Sequence, residues 1–253
     1  MKKIFMILVA VAIFCSSVVV AVAGEKEKIL TGYVNTGIFS KYVCSGVLLH
    51  DYAVIQPAIG IVYNPLGIYA EAWGSYSPKG GWNSDAGDEI DYTIGWAPEY
   101  KGFKFDIGYA YFNLVSLKNT TGDLHDFYIG ISAPAVYGIA PSVNFDFNLP
   151  QNQHMLEGGV IYAFNLEVEP KIAGQPINIK GTAVGHDGAC GAKPETISSL
   201  NLRLATKFAI LKNLEVTPEV NFQKRVGKKI SDGGSSKDLI WYGVKVNYPF
   251  DIM

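Results

Sequence analysis

The chain has 253 residues with 21 Lys+Arg, 23 Asp+Glu and a formal net charge of −2, so it lacks the basic surplus that nucleic-acid binding requires. Aromatic residues make up 13 % of it, including 15 Tyr, and there are 27 Gly. That composition suits many short strands joined by turns, and an aromatic excess also suits membrane interfaces.

Met1-Lys2-Lys3 is a basic start, Ile4 to Phe14 is an apolar core, and Ala21-Val22-Ala23 precedes the polar run Gly24-Glu25-Lys26-Glu27-Lys28. This order predicts a cleaved secretory signal peptide over residues 1–23 and a mature domain over 24–253. An uncleaved anchor is long enough to compete, but the Ala-x-Ala ending favours cleavage. A lipidated Cys15 would need a small residue before it, and Phe14 stands there. The predicted location is the outer membrane of a Gram-negative cell.

Beyond the leader the dominant signal is alternation. Leu30 to Gly46 reads as the first extended segment, and Ala53 to Tyr63 as the second, with Ile55, Pro57, Ile59, Ile61 and Tyr63 on one face. Ile68 to Tyr76 puts Tyr69, Glu71, Trp73 and Ser75 opposite Ala70, Ala72 and Gly74, which leaves its inward side open. Glu89 to Asn113 is the clearest hairpin: Ile90, Tyr92, Ile94 and Trp96 oppose Glu89, Asp91, Thr93 and Gly95, and the return strand sets Phe103, Phe105, Ile107, Tyr109 and Tyr111 against Lys104, Asp106, Gly108 and Ala110. Gly102 is free to take the positive φ that its turn needs.

Strands follow over Leu124 to Ala133, Ile139 to Leu149, about Met155 to Val168, about Ile177 to His186, Ser199 to Phe208, Leu214 to Gln223 and Leu239 to Phe250. Short turns near Asn64, Tyr100, Pro134, Ile172 and Leu211 alternate with longer polar loops. Twelve strands with that asymmetry predict an all-β, antiparallel transmembrane barrel, with both termini on the short-turn, periplasmic side. Each strand is long enough to cross the hydrocarbon layer at a tilt, and closure satisfies the backbone groups that lipid cannot. Tyr63, Trp96, Tyr111 and Tyr248 fall where interfacial girdles are expected.

Residues Gly37-Ile38-Phe39-Ser40-Lys41-Tyr42-Val43-Cys44-Ser45-Gly46-Val47, then Ala53-Val54-Ile55-Gln56-Pro57, then Gly67-Ile68-Tyr69-Ala70-Glu71-Ala72-Trp73-Gly74-Ser75, resemble the opening signature of the TorF-type porins. In that family a Ser-x-Tyr-x-x-x-Gly element precedes a Pro-containing strand and a Gly-x-Tyr-x-x-x-Trp strand. The likeness covers residues 33–113. This chain departs from the pattern at Lys41, where an acid is usual, and at Ser45, where Arg is usual. The resemblance implies an exported barrel more than a particular solute.

The candidate inward faces carry Glu71, Glu89, Asp91, Asp106, Asp126, Asp146 and Glu157 in strands three to eight, and Lys180, Arg203, Lys207 and Lys245 in strands nine to twelve. Lys104, Glu215 and Glu219 break the separation. Two outcomes are open: facing walls of opposite charge that tune selectivity, or charges that pair to fill a narrow lumen. The expected function is a porin-like channel for small hydrophilic solutes; a non-conducting barrel that acts through its loops is the alternative. A barrel hydrolase is disfavoured, since His50, His125, His154 and His186 lie at strand ends where solvated side chains are usual and none forms a His-x-Ser pair on one strand face. No catalytic residue, metal site or cofactor is expected. The expected partners are lipid, the solutes and the barrel-assembly machinery, with oligomeric state left open. Cys44 and Cys190, the two cysteines of the mature chain, would form a disulfide if the first strand and fifth loop meet.

Overall fold

A computed structural model describes residues 28–79, 88–113, 123–150, 158–187, 195–226 and 238–253. The leader, Glu157, Cys190 and His154 lie outside the described residues. Twelve long strands run in order: β1 Leu30–Phe39, β2 Val54–Tyr63, β3 Ile68–Ser75, β4 Glu89–Trp96, β5 Phe103–Asn113, β6 Leu124–Ser132, β7 Ile139–Pro150, β8 Gly159–Val168, β9 Gln175–His186, β10 Glu195–Thr206, β11 Leu214–Arg225 and β12 Leu239–Asp251. Each pairs antiparallel with its sequence neighbours, and β1 pairs with β12 from Thr31↔Asp251 to Phe39↔Gly243, so the sheet has no edge. The expected twelve-stranded closed barrel is what the chain forms.

Following hydrogen-bonded partners once around the wall displaces the register by about 16 residues, which sets a tilt of roughly 45° and a backbone diameter on the order of 24 Å. Short connections at one rim pin that register. Lys101-Gly102, Tyr137-Gly138 and Ala173-Gly174 all take positive φ at both positions (51° and 80°, 52° and 79°, 52° and 84°). These are the values of two-residue hairpin turns whose twist matches the strands, and glycine at the second position carries no Cβ to strain. Short ladders at Glu99–Tyr100, Lys171–Ile172 and Phe208–Leu211 extend the same rim.

Side chains obey the alternation. Ile38 is 57 % exposed and Ile94 57 % on the outer face, whereas Asp126 is 4 % and Gln223 1 % exposed on the inner one. Apolar outside and polar inside is the arrangement of a sheet solvated by lipid. Register settles the inward side of β3, because Glu71 pairs with Gly60 and Thr93 in the row that carries Tyr33. Tyr69, Glu71, Trp73 and Ser75 therefore face the lumen, and Ala70, Ala72 and Gly74 face outward. Tyr63 and Tyr248 are exposed on the outer face, and the Trp96 indole there donates to the Leu66 carbonyl at 2.8 Å.

One expectation fails at the other rim. The first extended segment does not continue to Gly46: β1 stops at Phe39, and Tyr42–Cys44 and Val47–His50 form a separate two-stranded hairpin. Ser40 stays tied to β12, its N–H donating to the Tyr242 carbonyl at 2.9 Å while its Oγ accepts from the Tyr242 N–H at 3.1 Å. The chain then bends inward, and Ser45-Gly46, with φ of 46° and 84°, turns it back. Lys41 pairs with Asp51 across the base of the hairpin. An alternation pattern that runs unbroken through Ser40 and Lys41 carries no sign of this bend.

Candidate functional site

The lumen is the candidate site, and strand register gives the position of each described candidate. Glu71, Glu89, Asp91, Asp106, Asp126 and Asp146 occupy inward positions on β3 to β7, and Lys180, Arg203, Glu215, Glu219 and Lys245 occupy them on β9 to β12. Lys104 faces inward on β5 near the short-turn rim. Lys207 lies just past β10 and bonds Glu215 at 3.1 Å. The acidic arc is centred on β5 and the basic arc near β11, half a circumference away.

The two arcs satisfy their groups differently. Arg203 Nε and Lys245 Nζ approach the same Glu219 oxygen at 3.2 and 3.1 Å, and Asn221 donates to the other at 2.9 Å. The acidic arc has no such partners: among the described residues no lysine or arginine pairs with Glu71, Glu89, Asp91, Asp106, Asp126 or Asp146. Neutral donors serve instead. Tyr33 donates to Glu71 at 2.6 Å, Tyr69 to Asp106 at 2.7 Å, Asn148 to Asp126 at 2.6 Å, and Tyr42 to Glu89. Pairing that cancels the lumen charge was one of the two outcomes open from sequence; the basic arc shows it locally and the acidic arc does not.

The inward tyrosines are residues that sequence reasoning missed. Tyr69, Gly95, Gly108 and Tyr128 form one row across β3 to β6, and the two rings lie over the two glycines until their hydroxyls meet at 2.5 Å. Any side chain at Gly95 or Gly108 would collide with the rings. The rings thus lie along the wall, over the glycines, rather than standing out from it. The signal was present as aromatic residues on a polar face with glycine on the polar face of the next strand.

The mouth hairpin is the second missed feature. Tyr42 reaches Glu89 on β4 and packs on Trp73 of β3, its ring 5.8 Å away. At the tip, the Gly46 carbonyl accepts from Gln223 Nε2 on β11 at 3.0 Å, and Gly46 abuts Ser199 on β10. Since β4 and β10 are six strands apart, the hairpin crosses the mouth on the long-loop side. Phe39, Tyr42 and Val54 form its buried apolar base, with Leu49 and Trp241 against them. A cavity of about 190 Å³ remains between the tip and β9 to β12.

Among the described residues, His50 and His186 are not the solvated side chains expected at strand ends. His50 and His186 are each 7 % exposed. His125 lies on the outer face of β6, where its Nδ1 meets the Tyr109 hydroxyl at 2.7 Å. Turns and strand pairing enclose these rings, which a one-dimensional reading of loop position cannot show. Cys44 sits exposed on the hairpin.

No protein-family model matches the chain, and no curated protein matches it in sequence. Among solved structures it is similar to KdgM porin, with a TM-score of 0.55 and 10 % identity over 86 % of this chain and 99 % of that one. NanC porin gives 0.53 and 10 % over 86 % and 98 %. An outer membrane channel from Pseudomonas putida F1 gives 0.50 and 8 % over 91 % and 100 %. The likeness at these identities is one of fold: the chain has the architecture of outer-membrane barrels.

Proposed function

We propose that the chain is an outer-membrane channel for passive diffusion of small hydrophilic solutes, of the TorF-type porin kind its opening strands resemble. The observation that carries the reading is a lumen with carboxylates on one arc, cations on the opposite arc, and tyrosines laid flat between strands. A barrel packed solid would pair its charges across the centre; here the carboxylates of the acidic arc take neutral Tyr and Asn donors and no cation from the opposite wall. Opposed walls set a transverse field that orients dipolar solutes, and the surplus of carboxylates favours small cations. The proposal includes export with cleavage after Ala23, insertion by barrel-assembly machinery, and a wall in contact with outer-membrane lipid. Catalysis and cofactors form no part of it.

Planar-bilayer recording of the refolded chain tests this. Stepwise conductance with a reversal potential displaced toward cations in a KCl gradient is the expected result. A heat-resistant folded barrel that never conducts would overturn it. One observation favours a second reading, a non-conducting barrel acting through its loops: the hairpin that crosses the mouth. The same recording decides, because a hairpin that seals the mouth leaves no current.

A further inference from the structure

The cavity beneath the hairpin tip, at about 190 Å³, holds the volume of roughly six waters at liquid density, the scale of one sugar-sized ring. Lys180, Arg203, Asn201, Gln223 and Trp241 line it on the barrel side, and Ser45 on the hairpin side. Its charge is unbalanced. One carboxylate, Glu219, serves both Arg203 and Lys245. Lys180 pairs along the sheet with Arg203 on one side and Glu167 on the other, and no described carboxylate forms an ion pair with it. Three cations against Glu219 and Glu167 leave a surplus of about one positive charge.

Its hydrogen bonding is incomplete as well. Gln223 spends Nε2 on the Gly46 carbonyl, and its Oε1 has no donor although the residue is 1 % exposed. Asn201 Oδ1 is likewise buried without a donor. Folded proteins satisfy nearly all such groups, so two buried amide oxygens beside a cation mark a place where a ligand's donors belong.

We propose that this cavity binds one hydroxylated monoanion of single-ring size, a sugar acid in chemical class. Its carboxylate meets Lys180 and Arg203, hydroxyls donate to Asn201 Oδ1 and Gln223 Oε1, and a C–H face rests on Trp241. The acidic arc across the lumen repels the same carboxylate and keeps it on the basic side. Salt selectivity follows the whole lumen, whereas retention of this solute follows the local pocket. The inference deepens the channel reading and rests on it for the route by which solute arrives.

The test titrates the full refolded chain in detergent micelles with D-glucuronate, D-glucose and acetate, read by saturation-transfer NMR of each probe. Glucuronate should half-saturate at a concentration at least about tenfold below glucose or acetate. Lys180→Met and Asn201→Ala should each raise that concentration about fivefold or more. Equal response to the three probes, or variants that bind glucuronate as the parent does, would overturn the proposal. Heat-modifiable electrophoretic mobility checks folding; if one variant misfolds, the other and the probe comparison still decide. The titration needs no current, so a barrel that binds without conducting removes the channel reading alone. A barrel that conducts without binding removes this inference alone.

Discussion

Tyr33 on β1 and Glu71 on β3 are joined by a 2.6 Å hydrogen bond that passes over Gly60 of the strand between them. The same device, doubled, seats Tyr69 and Tyr128 over Gly95 and Gly108. Glycine on the inner face lets a ring lie tangent to the wall, and the ring's hydroxyl then satisfies a carboxylate that has no cation. Wall stiffness and lumen charge are therefore set by the same residues.

Valine at Gly95 or Gly108 should destabilise the barrel by about 1–3 kcal/mol, the usual cost of forcing a side chain into filled space. Combining Gly95→Val with Tyr69→Ala should recover part of the loss. Urea midpoints in lipid vesicles measure both; a Gly95→Val barrel as stable as the parent would show that the ring is free to move away.

The hairpin should limit current. Replacing Tyr42–His50 with a short Gly-Ser linker should raise single-channel conductance about twofold or more, because it removes a chord across a mouth whose backbone diameter is on the order of 24 Å. An unchanged conductance would place the constriction elsewhere.

Each arc should move ion selectivity in its own direction. Asp91→Asn with Asp126→Asn should shift the reversal potential toward anions by roughly 10 mV, on a scale limited to about 59 mV per tenfold gradient, and Lys180→Met with Lys245→Met should shift it the other way. Shifts of one sign for both pairs would refute opposed walls.

Glu219 has a side chain 5 % exposed between two cations. Glu219→Gln leaves Arg203 and Lys245 facing each other without an anion and should cost about 1–3 kcal/mol. Adding Lys245→Met should reduce that cost, a coupling that a double-mutant cycle measures directly.

At the base of the last long loop Lys224 donates to Asp238 at 2.6 Å and the Arg225 N–H donates to it at 3.2 Å. The Lys224 hydrogen bond, aided by that amide, holds the Asp238 carboxyl below its ordinary range. The charged form is thus favoured in the folded protein, so the tie is complete above pH ~4 and is lost as pH falls through the depressed value. The Arg225 amide shift should titrate below pH ~4, and Lys224→Met should move its inflection upward. An inflection in the parent above that range would contradict the tie.

The barrel was legible because its signal is additive: twelve segments each repeat one alternation, and Ile94 or Leu202 is placed by period alone. Lumen charges were legible for the same reason, since parity assigns Asp91 or Arg203 to a face before any partner is known. What parity cannot supply is distance around the wall. The Tyr69–Tyr128 contact joins β3 to β6, and Gln223–Gly46 joins β11 to the hairpin; both depend on register accumulated over several strands. The inward bend at Ser40 was hidden because Tyr42 and Val43 keep a strand-like composition while the hairpin they begin turns across the mouth.

The bond between Gly46 and Gln223 links residues 177 positions apart. It ties the two ends of the sequence together across the mouth. The tip of the hairpin finds its seat only after β10 and β11 have been laid down, and β12 must close against β1 to hold Ser40 in place. The seat of the tip is therefore built entirely from the last quarter of the chain. The contacts of Tyr42 with Trp73 and Glu89 need only the first four strands, so the two ends of one nine-residue hairpin depend on opposite ends of the sequence.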